Sequence, residues 1–392
     1  MASLKYWLWL TEREGLGNQV RLSLLQRFGS PESIYFADEG EYLLAGLNRR
    51  QAAALADKAL SGADRILGRC EELGLRILTM QDAEYPVRLK NIFDPPCLLY
   101  YKGKLPLFDE EAAVAVVGTR TATPYGFQSA RELGYGLAKG GALVVSGLAR
   151  GCDSEAIQGA LRAGGVTVGV LGGGIDVIYP PENERLYADV AASGVLISEY
   201  PPGTETLPGH FPARNRVMSG LTVASLVIEA PARSGALITA ALALDQGRDV
   251  YAVPGPISSM QSVGCNRLIR DGAGLVAEAD DLLRDYTHLF PGKLRASQSP
   301  VPVQLHQETE KPAPAVPAKP VLSLSRNGFS LTDDQLAILR TLEGESVQVD
   351  DLIDLTQIPA RRMLSALTVL ELENLVTQES GKRFSLAVTL TE

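Results

Sequence analysis

The 392-residue chain predicts an α/β protein: a doubly wound parallel sheet, with a helical domain before it and a winged-helix domain after it. Three observations carry that reading. Between about residues 75 and 290, short Val/Ile/Leu/Ala runs alternate with amphipathic stretches, as strands buried on both faces alternate with crossover helices. Glycines stand where those runs end, at the edge where such a sheet binds ligands. The composition then breaks at a proline-rich stretch, and helical periodicity resumes beyond it. The length alone implies two to three domains at about 150 residues each.

In order, residues 1–75 read as a helical domain with helices at 3–11, 18–28, 31–36, 48–59 and 63–73. Its Gly15-Leu16-Gly17 and Ala45-Gly46-Leu47 turns resemble those of helix-hairpin-helix or SAM-like modules, which serve for packing or for binding. Residues 76–290 supply strands at 112–117, 142–146, 167–171, 194–198, 222–229 and 249–253, and helices at 124–139, 154–163 and 239–246. Residues 291–325 hold seven prolines and almost no core formers, which predicts a semi-extended tether. Residues 326–392 give helices at 332–342, 349–355 and 359–375, then a hairpin over 376–388 turning at Ser380-Gly381-Lys382, a winged-helix order.

Composition excludes several function classes. The net charge of −9 argues against a generally basic nucleic-acid coat, while leaving room for a local basic pocket. No apolar run approaches the roughly 18 residues a spanning helix needs, and the apolar patch at 6–10 is too short for a signal peptide. A cytoplasmic protein with no membrane partner is expected. Cys70, Cys97, Cys152 and Cys265 form no C-x-x-C pair, and only His210, His288 and His306 accompany them, so no metal site is expected.

Five glycine-bearing turns suggest a phosphate-binding crest. They are Val117-Gly118-Thr119-Arg120, Ser146-Gly147-Leu148-Ala149-Arg150-Gly151, Leu171-Gly172-Gly173-Gly174-Ile175-Asp176, Ala232-Arg233-Ser234-Gly235-Ala236 and Gly264-Cys265-Asn266. Glycine lets backbone approach a ligand, and N–H groups at helix starts bind anions. Neither G-x-G-x-x-G after the first strand nor a P-loop is present, so no nucleotide cofactor is expected. Arg120, Arg150, Arg214, Arg216 and Arg233 punctuate the same turns, although residues 112–290 carry 13 basic against 17 acidic side chains. Guanidinium forks suit phosphate oxygens. Residues 207–216 read as a Pro/Gly-rich loop in which Arg214, Asn215 and Arg216 follow Phe211, the residue types single-stranded nucleic acid needs. Asp153, Asp176, Glu199 and Glu229 lie near strand ends, but no histidine stands at a triad spacing from Ser146 or Ser234; Asp153 and Asp176 read as ordering loop amides.

These segments resemble the DprA/Smf family of DNA-processing proteins. The matching stretches are VAVVGTRTATPYG, VVSGLARGCDSEAIQGAL, GVLGGGIDVIYPPEN, ISEYPPGTETLPGHFPARNR, VIEAPARSGALITAALALDQGRDVYAVPG and GCNRLIRDGA, in order between Ala113 and Ala273. The resemblance implies an extended Rossmann-like fold and a non-enzymatic homodimer that binds single-stranded DNA and loads the RecA recombinase in natural transformation. By motif it implies nucleic-acid contacts from Gly118, Thr119 and Arg120, from Ser146, Gly147 and Gly151, from Gly172 and Gly173, from Arg214, Asn215 and Arg216, and from Ser234, Gly235 and Asn266. Two positions depart from the family pattern: Cys152 stands for its isoleucine and Ile157 for its histidine.

The alternative is an enzyme, a nucleotide phosphoribohydrolase resembling the lysine-decarboxylase-like group, with a P-G-G-x-G-T-x-x-E loop. The equivalent loop, Pro231 to Thr239, has no glutamate after its glycine. The winged-helix segment carries six basic and eleven acidic residues from Arg326 onward, which suits a protein partner or intramolecular docking better than duplex DNA.

Overall fold

The computed structural model describes residues 2–295, 321–323, 331–343, 346–379 and 383–391. Contacts divide the chain into two compact units, Met1–Ser299 and Pro300–Glu392.

The first unit opens with six helices: α1 (Ala2–Glu12), α2 (Asn18–Phe28), α3 (Pro31–Phe36), α4 (Glu39–Leu44), α5 (Arg49–Ala56) and α6 (Ser61–Leu73). Sequence reading overlooked α4, whose short periodic run is set instead by a capping box between Asp38 and Glu41. The first helix carries four successive apolar residues at 7–10 because it serves two cores: Trp7 and Leu8 join the sheet's core, while Trp9 and Leu10 join that of the helical module.

There follow β1 (Arg76–Thr79), α7 (Val87–Lys90), β2 (Leu98–Gly103), β3 (Ala113–Val117), α8 (Pro124–Lys139), β4 (Leu143–Ser146), α9 (Cys152–Arg162) and β5 (Thr167–Leu171). The unit continues with α10 (Glu184–Ser193), β6 (Val195–Ser198), α11 (His210–Gly220), β7 (Ala224–Val227), α12 (Gly235–Asp245), β8 (Asp249–Ala252), α13 (Val263–Arg270), β9 (Gly274–Leu275) and α14 (Ala279–Leu283). Nine strands form one sheet in the order β1-β2-β6-β5-β4-β3-β7-β8-β9. From β6 to β9 every pairing is parallel. Strands β3 to β7 are buried throughout, which is why they read as unbroken apolar runs. The extra edge differs: β1 pairs antiparallel with β2, and β2 antiparallel with β6.

Two local expectations are corrected. The stretch 207–216 is not all loop, because α11 begins at His210. Pro212 sits in its first turn, where a missing N–H leaves no hydrogen bond unmade. Likewise Gly264-Cys265-Asn266 is no strand-end turn but the first turn of α13.

In the second unit, β10 (Val321–Ser323) precedes α15 (Asp333–Thr341), β11 (Val347–Gln348), α16 (Val349–Thr356), α17 (Ala360–Leu372), β12 (Val376–Glu379), β13 (Arg383–Leu386) and β14 (Thr389–Thr391). Three helices and the β11-β13-β12 sheet enclose a small core around Ile338, Leu352, Met363 and Phe384. The expected wing turn, 380–382, and most of the expected tether lie outside the described residues. Of the tether, Arg295 donates its N–H to Gly140 O at 2.7 Å, and 321–323 pair with β14 instead of running free. No described helix is long and apolar enough to cross a membrane.

Candidate nucleic-acid interface

Chain order reverses between β3 and β7, the point where a doubly wound sheet opens a crevice beyond its strand ends. A cleft of about 330 Å³ lies there. Seven of the residues expected to bind line it: Gly118, Thr119 and Arg120 after β3, Arg214 and Asn215 on α11, and Ser234 and Gly235 at the start of α12.

Arg120 is exposed, with its guanidinium 4.6 Å from the centre of the Phe211 ring. Neither it nor Arg233, also exposed at the rim, forms an ion pair among the described residues. Both charges therefore face the cleft uncompensated. On the far lip, Ser234 caps α12 by accepting the Ala236 N–H at 3.3 Å, and open space surrounds Gly235. A helix N-terminus with bare backbone attracts anions.

Arg214 lies in the same wall and is used differently. It is only 6% exposed, donates to Val170 O, and holds Asn215 Oδ1 at 3.2 Å. A Cβ on Gly147 would overlap its guanidinium, so that glycine is needed for the arginine to pass. Beneath it Asp153 is also buried and accepts N–H groups from Gly147 (3.2 Å), Gly118 and Ala149. Burial pushes the Asp153 carboxyl up, and the Arg214 charge opposes that shift. Asp153 thus ties the first two crest turns together, and Asp176 similarly accepts Gly203 N–H at 2.7 Å.

Other expected residues stand behind the cleft or away from it. Ser146 is fully buried and donates to Val116 O at 2.7 Å. Gly151, at φ 80°, packs its Cα against Thr119 O, a place no side chain fits. Gly172 O meets His210 Nδ1 at 2.9 Å, and Gly173 O accepts from Ser198 Oγ at 2.7 Å. Asn266 brackets the Gly255 backbone, accepting its N–H at 3.2 Å and donating to its carbonyl at 2.9 Å. Arg216, two residues from Arg214 and so about 200° around the helix, turns away from the cleft. It bonds Asp94 at 2.8 Å and both oxygens of Glu199 at 2.7–2.8 Å.

At the departures from the family pattern, Cys152 packs under Gly118 and Ile157 is fully buried, a core position rather than a polar one. Sequence reading passed over Thr121, Met218 and Thr239, which also line the cleft. Thr239 was legible, since it lies four residues after Gly235 on one helix face. Glu229, only 2% exposed, accepts the Thr123 N–H (2.9 Å) and hydroxyl (2.6 Å) at the start of α8.

The fold and crest have relatives. Residues 76–287 match the family model "DNA recombination-mediator protein A", and residues 309–382 match "DprA winged helix domain". The chain is 32% identical to Protein Smf of Synechocystis over 390 residues, covering 97% of this chain and 98% of that one. It is 37% identical to DNA processing protein DprA of Streptococcus pneumoniae over 288 residues, 73% of this chain and 99% of that protein. The X-ray structure of DprA from the same organism superposes with a TM-score of 0.64 at 36% identity, over 72% of this chain and 97% of that one. With a family model over more than half its length and a relative matching end to end, the chain belongs to the DprA/Smf family of DNA-processing proteins.

Proposed function

We propose that this protein is a cytoplasmic, non-enzymatic single-stranded DNA binder that acts as a homodimer and loads RecA in natural transformation. The observation that carries the binding reading is Arg120: exposed, unpaired among the described residues, 4.6 Å from the centre of the Phe211 ring, and lining one cleft with the N-terminus of α12. A guanidinium held that way offers forked donors to a phosphate, while the cleft floor of Gly118, Thr119, Ser234 and Gly235 supplies backbone close to it. Ser146, Gly147, Gly151, Arg214 and Asn215 hold these turns in place. Non-enzymatic action is supported by Glu229, which is only 2% exposed, bonds Thr123 at the start of α8 with both oxygens, and lies outside the cleft lining.

Gel-shift titrations of matched single- and double-stranded oligonucleotides test the reading. Single strands should bind far more tightly, with log affinity falling against log salt by about 0.7 per phosphate contacted. Equal affinity for duplex, or indifference to salt, overturns it. The acidic winged-helix unit is proposed to serve a protein contact, so deleting residues 291–392 should leave single-strand affinity within a few-fold. Analytical ultracentrifugation and RecA filament assembly on strands coated with single-strand-binding protein test the dimer and the loading.

A further inference from the structure

The loop after β8 carries two large apolar side chains in water: Ile257 is 97% exposed and Met260 72%. They stand at matching corners of two successive tight turns. Ser259 donates its N–H to Pro256 O at 3.0 Å and Ser262 donates to Ser259 O at 3.1 Å, so each apolar residue is the first central residue of its turn. The loop is anchored beneath this tip. Tyr125 donates its hydroxyl to Pro254 O at 2.8 Å, Asn266 brackets the Gly255 backbone, and a Cβ on Gly255 would strike Ser262. One exposed apolar residue needs no explanation, but two on an anchored loop beside a binding cleft mark a contact surface.

The loop belongs to the crest edge of the sheet. Strand β8 runs parallel to β7, and β7 to β3, so all three end on the same side. With strands about 5 Å apart, the loop's base lies one spacing from the turn bearing Arg233 and two, about 10 Å, from that bearing Arg120. Backbone bonds join it to the cleft: Ala230 donates to Gln261 O at 2.8 Å and Gly264 donates to Ala230 O at 2.7 Å, next to Pro231 of the lining. On its other flank, Tyr125 stands in the first turn of α8, shortly after Thr121 of the same lining. The charge there suits a polyanion. Residues 253–270 contain two arginines and no acid, in a chain of net charge −9, and the exposed Arg267 forms no ion pair among the described residues.

We propose that Ile257 and Met260 pack against the bases of the strand whose phosphates lie on Arg120 and Arg233, a contact that rests on the single-strand reading above. Phosphate contacts position a nucleic acid and do not by themselves tell one strand from two. An unpaired strand offers bare base faces, which are flat and apolar, and isoleucine and methionine are side chains that wedge between base steps. In a duplex those faces are already stacked. The tip thus supplies a preference for single strands that the arginines alone lack. Its continuity with the cleft and its freedom from acids favour bases over a protein as its partner.

Fluorescence anisotropy of the full chain with labelled oligothymidylate, and with an abasic strand of equal length, tests the contact, because the two strands carry the same phosphates. The wild type should bind oligothymidylate at least about tenfold more tightly than the abasic strand. A double variant, Ile257→Ser with Met260→Ser, should lose most of that preference, and its melt should match the wild type because both side chains already stand in water. Equal wild-type affinity for the two strands overturns the proposal and leaves the single-strand reading intact. So does a double variant that keeps the full preference, in which case the tip serves a protein. Failure of the wild type to bind either strand overturns both readings together.

Discussion

Arg120 and Arg214 line one cleft and lead opposite lives. Arg120 is exposed over Phe211 with no hydrogen-bond or ion-pair partner among the described residues, whereas Arg214 is sealed behind Gly147 and donates to Val170 and Asn215. Both belong to glycine-rich motifs and both look like phosphate ligands as residue types. What separates them is burial. A guanidinium taken out of water must be satisfied internally, and once satisfied it holds the loops and has little left for a ligand. The crest is thus a surface arginine presented on turns that a buried arginine and Asp153 keep in register.

The hardest test of this contrast is Arg214→Met. It leaves Asp153 buried without the positive charge that counters its desolvation, and breaking such an arrangement costs roughly 3 kcal/mol or more. A thermal melt should drop by many degrees before any DNA is added. Adding Asp153→Asn to that variant should restore part of the loss, since no buried charge is then left alone. Should Arg214→Met melt like the wild type and lose only DNA affinity, the two arginines have the same role and the comparison fails.

Arg120→Ala should do the reverse. Its melt should match the wild type, and single-strand affinity should fall by about 1–3 kcal/mol, the worth of charge-assisted bonds to phosphate. Arg120→Lys should recover only part of that, because an ammonium keeps the charge but not the planar fork of donors beside Phe211. Full recovery by lysine would reduce the site to a point charge.

Much of this arrangement is legible before any coordinates. Strands β3 to β7 announce themselves because burial on both faces leaves no polar residue to interrupt them. The antiparallel edge does not: β1 and β2 are each buried at one end and open at the other, where Arg76 and Lys102 meet solvent. The cleft's lining by Gly118, Ser234 and Gly235 could be read from their place just beyond strand ends, where such a sheet opens its crevice. The fate of Arg214 and Arg216 could not. Whether residues 210–216 coil or form a helix decides which way each arginine points, and a proline in the first turn of a helix looks the same in sequence as a proline in a loop. Once α11 is a helix, two arginines two residues apart must lie on different sides of it, Arg214 against Val170 and Arg216 against Asp94.

The smallest effect sharpens the comparison most. Arg150 also stands on a crest turn and is exposed, so exposure alone would class it with Arg120. It differs in having a partner: its guanidinium holds Glu182, with Nη2 to Oε2 at 3.1 Å and a closer bond from Nε. That pair sits in water, where ion pairs contribute little, so Arg150→Ala should leave the melt unchanged. For DNA, Arg150 would first have to give up Glu182, whereas Arg120 has no such bond to break among the described residues. Arg150→Ala should therefore weaken single-strand binding measurably less than Arg120→Ala under the same salt, and Glu182→Gln should strengthen it slightly by releasing the guanidinium. If Arg150→Ala costs as much affinity as Arg120→Ala, then exposure governs the crest and freedom from a carboxylate does not.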